Sequence, residues 1–181
     1  MSRMTVCFLI PSFMFLDSDL LSKAATTLDC ARQKRIKIAT AESCTGGMVA
    51  TYLTEIAGAS DVFERGFVTY SNQAKIEMLQ VDKMLLKDHG AVSLEVAKAM
   101  AIGVIKNSTA NLSVAITGIA GPGGGNNCKS IGLVYVASFC SLNEKLLLKK
   151  FNFIGSRSCV RKSSVNVVFD LLLMQINEIV M

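Results

Sequence analysis

Apolar positions along the chain keep two rhythms, one of helices and one of strands. Leu20, Leu21, Ala24, Ala25, Leu28 and Ala31 follow a 3.6-residue period behind Asp17 or Ser18, either of which can cap a helix. Ile36 to Ala41 is a short strand-like run, and the apolar stretch Met48 to Ile56 predicts a helix ending near Gly58. Gly66-Phe67-Val68-Thr69-Tyr70 predicts a second strand. Ser71 or Asn72 opens a short helix through Leu79, and Asp82 opens another that His89-Gly90 closes, glycine being the usual residue past a helix end. From Ser93, a helix carries Val96, Ala97, Met100, Ala101 and Val104 on one face. Leu112 to Ile116 is a buried-type strand, and Ile131 to Phe139 and Leu146 to Phe153 are two more, whose short connection predicts an antiparallel hairpin. A last helix over Ser158 to Val180 has Val160, Val167, Val168, Leu171, Leu172 and Ile179 for a core face. Strands alternating with helices and closed by a hairpin predict an α/β fold: three layers, α/β/α, around a mixed, partly antiparallel sheet.

Composition narrows the class. The chain has 181 residues, 51% apolar and 18% charged, enough for one full core and too apolar for disorder. No repeat or linker divides it, so residues 17–181 read as one domain. Residues 1–16, apolar behind Arg3 and interrupted by Pro11, read as an extension or a misassigned start, with Met14 as the alternative start. The run is too short to span a bilayer. The net charge of +5 comes from scattered basic residues, with no basic stripe and no tryptophan, which argues against nucleic acid and suits a small anionic ligand. Six cysteines without a C-x-x-C pair argue against a zinc site or a disulfide framework, and reduced thiols fit a cytoplasmic protein. His89 is the only histidine, so no Ser-His-Asp or Cys-His mechanism can avoid it.

Candidate chemistry centres on Thr40-Ala41-Glu42-Ser43-Cys44-Thr45-Gly46-Gly47, where a strand feeds a tight turn that opens a helix. Unpartnered N–H groups and the dipole at a helix start favour negative charge. Ser43 beside them reads as a nucleophile with an oxyanion site, or, together with Thr45, as a plain N-cap. Cys44 is a rival nucleophile, since a helix start lowers a thiol's pKa. Tyr70 at a strand end and Lys75 one turn into the next helix can both face a cleft at the sheet's end, or be an edge tyrosine and a solvated lysine. Arg157 and Arg161, four apart, can clamp a phosphate or carboxylate or simply form a basic face. The run Gly123 to Ser130 resembles a P-loop but leads into a strand where a P-loop must open a helix, so that reading is rejected. The glycines at 121–125 remain a candidate phosphate or ribose cradle.

Four segments stand in the order seen in the CinA C-terminal-domain family. They are Ala41 to Gly47, Val68 to Lys75, His89 to Ser93, and Thr117 to Gly124. The resemblance covers about residues 17–180. It implies an amidase that hydrolyses the carboxamide of nicotinamide mononucleotide to nicotinate mononucleotide and ammonia. It implies Ser43 as nucleophile, with Lys75 and Tyr70 completing a Ser-Lys-Tyr arrangement. Thr45, Gly46, Gly47, Thr117, Gly121, Gly123 and Arg157 would hold the oxyanion or substrate. No metal or other cofactor is implied, and the partners expected are the nucleotide and a second copy of the chain, with no membrane and no nucleic acid. Lysine's ordinary pKa lies near 10.4, so a Lys75 base needs burial to be neutral at pH 7. The family's acidic residue before the last helix is Ser156 here, and the loop Gly125 to Ser130 also departs. Those departures keep open a second function, a nucleotide-binding module with little catalysis.

Overall fold

The computed structural model describes residues 16–179, so the expectations for residues 1–15 and for the end of the chain lie outside it. In chain order the elements are α1 (Ser18–Gln33), β1 (Ile38–Glu42), α2 (Met48–Thr54), β2 (Phe63–Val68), α3 (Asn72–Leu79) and α4 (Lys83–His89). Then follow α5 (Leu94–Lys106), β3 (Leu112–Gly118), β4 (Leu133–Cys140), β5 (Lys145–Asn152) and α6 (Arg157–Glu178). The sheet order is β2-β1-β3-β4-β5. β1 pairs parallel with β2 and β3, and β3-β4-β5 pair antiparallel. This is the mixed three-layer sheet that the alternation of elements predicts. Among the described residues no helix is long and apolar enough to cross a membrane.

The caps explain where helices begin. Asp17, Ser71, Asp82, Ser93 and Ser156 each accept a backbone N–H from the first turn of α1, α3, α4, α5 and α6. α2 has no such cap; it starts after Gly47 in a left-handed conformation. It also ends at Thr54 rather than near Gly58, because Gly58 is left-handed and opens a short 3₁₀ turn, Ala59–Asp61.

Strand limits follow from pairing. β2 begins at Phe63 and stops at Val68, not Tyr70, because its partner β1 runs out at Glu42; Thr69 N–H makes the last rung to the Glu42 carbonyl. Thr69 and Tyr70 are thereby released into the turn before α3. β4 begins at Leu133, two residues later than expected. Gly132 has φ +90°, and a β-carbon there would stand 1.9 Å from the Phe153 carbonyl oxygen.

The two faces of the sheet differ in grain. One packs Ile38, Leu112, Val114, Ile116, Val134 and Val136 against α1, α2 and α6. On α6 the core face includes Val165, Phe169 and Ile176 beyond the positions expected, while Val167 is only partly buried. The other face presents small residues, Ala39, Ala41, Ala115 and Ala137, and α5 lies against them. The strand period of two sends alternate β1 residues to opposite layers. Topology then places a crevice at the carboxyl end of β1, where the crossover to β2 leaves over one face and the crossover from β2 to β3 returns over the other.

α3, which carries Lys75, is seated on α5, with its tightest approach at Gly103. A β-carbon at Gly103 would lie 2.3 Å from the Leu79 carbonyl oxygen. Alanine is intrinsically about 1 kcal/mol better than glycine inside a helix. Gly103→Ala is nevertheless expected to cost about 1–3 kcal/mol, because α3 must move off. Urea denaturation checks this, and a gain in stability would contradict the packing described.

Candidate active site

The turn after β1 is held from both layers. Glu42 is 1% exposed, and its two carboxylate oxygens accept the Val49 and Ala50 N–H groups at 3.0 and 2.9 Å. The first free donors of α2 are therefore taken by a charged cap from within the protein. Ser43 N–H bonds the Ile116 carbonyl and Gly46 N–H bonds the Ser43 carbonyl. Arg161 Nη2 donates to the Thr45 carbonyl at 2.7 Å. Among the described residues, the N–H groups of Cys44, Thr45 and Gly47 have no protein acceptor. The donors expected over Thr45 to Gly47 thus reduce to Thr45 and Gly47, with Gly46 committed to the turn.

Lys75 meets this turn from α3. Its ammonium position is 3.1 Å from Ser43 Oγ, 2.8 Å from the Thr69 carbonyl and 3.4 Å from the Tyr70 carbonyl. The residue is 1% exposed, and Ser43 is 8% exposed. No carboxylate forms an ion pair with it among the described residues. Burial lowers the Lys75 pKa, a nearby Cys44 opposing it weakly. Three oxygens surround the nitrogen, an arrangement open to an ammonium that donates to all three and to a neutral amine alike. Once deprotonated, the amine can keep its two N–H groups on the two carbonyls and turn its lone pair to the Ser43 hydroxyl.

A cavity of about 260 Å³ opens on this pair. Ser43, Lys75, Thr117, Gly121, Gly123 and Arg157 line it, with Ala91, Val92 and Ile119 giving apolar wall. Thr117 Oγ1 donates to the Ala91 carbonyl at 2.7 Å, tying β3 to the segment after α4. Arg157 Nη1 donates to the Gly121 carbonyl at 2.8 Å, and Nη2 donates to Tyr70 Oη at 3.2 Å. Tyr70 is 61% exposed. Its carbonyl faces Lys75 while its phenol faces Arg157, so it contacts the lysine through the backbone. Thr45 lies buried behind the cavity, with Arg161 on its carbonyl.

Other candidates fall away on position or charge. Burial pushes the Cys44 thiol up to about 11, with Glu42's charge adding to it, so the sulfur is protonated at neutral pH and a poor rival to Ser43. Lys129, the lysine of the P-loop-like run, donates to the His89 and Val92 carbonyls, both at 2.7 Å, and the chain continues into β4. His89 Nδ1 faces Glu95 at 3.6 Å at the end of α4, and the residue is absent from the cavity wall. Sequence reasoning gave Glu42 no role. The only available signal was an acidic residue at the end of a fully buried strand, immediately before a helix start lacking a good cap.

Burying Lys75 costs stability while it is protonated. Its pKa is depressed in the fold, so the cost is largest at low pH and fades as pH rises toward the ordinary value of 10.5. Lys75→Met is therefore expected to shift Tm upward relative to wild type more at pH 6 than at pH 10. A Tm difference that does not change with pH would contradict a depressed lysine.

The geometry can be set beside known proteins. The model of the CinA C-terminal domain matches residues 21–176. A competence-damage inducible protein of Caldicellulosiruptor bescii is 42% identical over 140 residues, covering 77% of this chain and 34% of that protein. One of Clostridium acetobutylicum is 49% identical over 138 residues, covering 76% of this chain and 33% of its own length. The chain thus spans about a third of the length of these relatives. Among solved structures, the competence/damage inducible protein CihA of Agrobacterium tumefaciens superposes with a TM-score of 0.87 at 40% identity, covering 91% of this chain and 99% of that one. A CinA superfamily protein of Escherichia coli superposes with a TM-score of 0.82 at 31% identity, covering 88% and 92%. With most of its length matched by the family model and by these relatives, the chain belongs to the CinA C-terminal domain family.

Proposed function

We propose that this protein is a serine-type amidohydrolase that converts nicotinamide mononucleotide to nicotinate mononucleotide and ammonia. The observation that carries the chemistry is the 3.1 Å contact between a buried, uncompensated Lys75 amine and Ser43 Oγ. The choice of nucleotide rests on the family resemblance of the four motifs. The apolar wall at Ala91, Val92 and Ile119 suits a flat aromatic carboxamide, and Arg157 with the Gly121 to Gly124 loop suits a phosphate at the mouth.

The steps follow from these groups. Lys75 takes the Ser43 proton as Oγ attacks the carboxamide carbon. The carbonyl oxygen becomes an oxyanion within reach of the free turn N–H groups. Collapse of this intermediate breaks the C–N bond, and the Lys75 proton leaves with the nitrogen as ammonia. Water, deprotonated by the now neutral Lys75, attacks the acyl-serine. Its collapse returns the Ser43 hydroxyl and releases the carboxylate. Tyr70 and Arg157 stand together over the entrance, the phenol orienting the guanidinium.

Ammonia release from nicotinamide mononucleotide, measured with and without EDTA, tests the proposal. Release that survives EDTA and disappears in Ser43→Ala is expected. No release from folded wild type, with nucleotide binding retained, would replace it with the binding-module reading that Ser156 motivates. Cys44→Ser is expected to keep kcat within about threefold, since its thiol is protonated. Lys75→Ala should lower kcat more than it raises KM, and Arg157→Ala should mainly raise KM. Because the base must be neutral, kcat should rise with pH on a limb below the ordinary lysine range. A profile that is flat across that limb would remove Lys75 from the role of base.

A further inference from the structure

Among the described residues, Glu42 is the one buried carboxylate, and the mechanism above leaves it unused. It is 1% exposed and spends both oxygens on α2. Arg161 is its counterpart across the turn. Its Nη2 holds the Thr45 carbonyl at 2.7 Å, its Nε is buried without a partner, and it forms no ion pair among the described residues. Gly46, with φ +60°, lies beside it; a β-carbon there would make only ordinary contact with Arg161 Nη2, at 3.8 Å.

We propose that Glu42 and Arg161 are positioning residues, a two-ended charged brace that fixes the turn bearing Ser43. The proposal rests on Ser43 being the nucleophile. The brace has a chemical consequence as well as a mechanical one. With Glu42 on the Val49 and Ala50 N–H groups, the start of α2 is already neutralised. Developing negative charge is then left to the turn N–H groups that have no protein acceptor among the described residues. Arg161, by fixing the Thr45 carbonyl, sets the plane of the peptide between Thr45 and Gly46. The division of labour follows from strand geometry. Neighbouring residues 42 and 43 serve opposite layers, Glu42 toward α2 and Ser43 toward α3.

Two readouts test the brace, using the whole chain. The first is backbone amide exchange in Glu42→Gln, which must place an amide NH₂ against one of the two N–H groups it now accepts. Faster exchange confined to residues 43–50 is expected, and exchange unchanged there, or raised throughout the fold, would overturn the brace. The second is kinetics on nicotinamide mononucleotide. Glu42→Gln should lower kcat about tenfold to a hundredfold, the scale of a small misplacement of reacting groups, with KM within about twofold and the pH limb unmoved. An unchanged kcat would overturn the proposal. Arg161→Lys can still reach a single carbonyl and should keep kcat within about threefold, whereas Arg161→Met should lose about tenfold. Equal loss in both Arg161 variants would overturn the brace at that end, and this pair carries the test if Glu42→Gln does not fold. Wild type that releases no ammonia would sink the amidase reading, while the exchange measurement would still decide the brace.

Discussion

A buried lysine amine, held by two carbonyls beside Ser43 and without an acidic partner among the described residues, is the constraint on which this structure turns. Burying a charged ammonium is costly, and burial lowers the Lys75 pKa. Everything that places Lys75 serves that condition. α3 is capped by Ser71, seated on α5 at Gly103, and entered from a turn whose Thr69 and Tyr70 carbonyls become the lysine's acceptors. The end of β2 matters for the same reason: had pairing continued to Tyr70, those carbonyls would have gone to the sheet.

The turn bearing Ser43, the proposed nucleophile, meets the opposite problem, a helix start beside the site where the proposed reaction develops negative charge. Glu42 occupies the donors of α2 from beneath, and the turn keeps separate donors, the N–H groups of Cys44, Thr45 and Gly47, without a protein acceptor among the described residues. The same buried carboxylate helps keep the adjacent Cys44 thiol protonated. It does so from outside the cavity, adding to the larger effect of burial. At the far side, Arg157 joins the glycine-rich loop to Tyr70, linking the start of α6 to two walls of the entrance.

Much of this was legible in the chain. Helical spacing marked α1, α5 and α6, apolar runs marked α2 and the strands, and Asp17, Ser71, Asp82 and Ser93 marked helix starts because a side-chain oxygen before a helix has a local job. The hairpin of β4 and β5 followed from a short connection. Strand limits were not legible, because β2 stops where its partner stops and β4 begins where Gly132 must pass the Phe153 carbonyl, both long-range facts. In the site, Ser43, Lys75 and Arg157 could be proposed from their places at element ends. The orientation of the Tyr70 phenol toward Arg157, the loss of the Gly46 donor and the task of Glu42 could not. Each depends on which partner, distant in sequence, reaches the group first.

The central claim is the protonation state of Lys75 in the folded protein. Chemical shifts of the lysine side-chain amines, followed by NMR against pH with Lys75→Met used to assign the resonance, measure it directly. The account predicts one lysine that titrates below all the others, on the same pH limb as kcat. A Lys75 that titrates with the exposed lysines near 10.4 would contradict it.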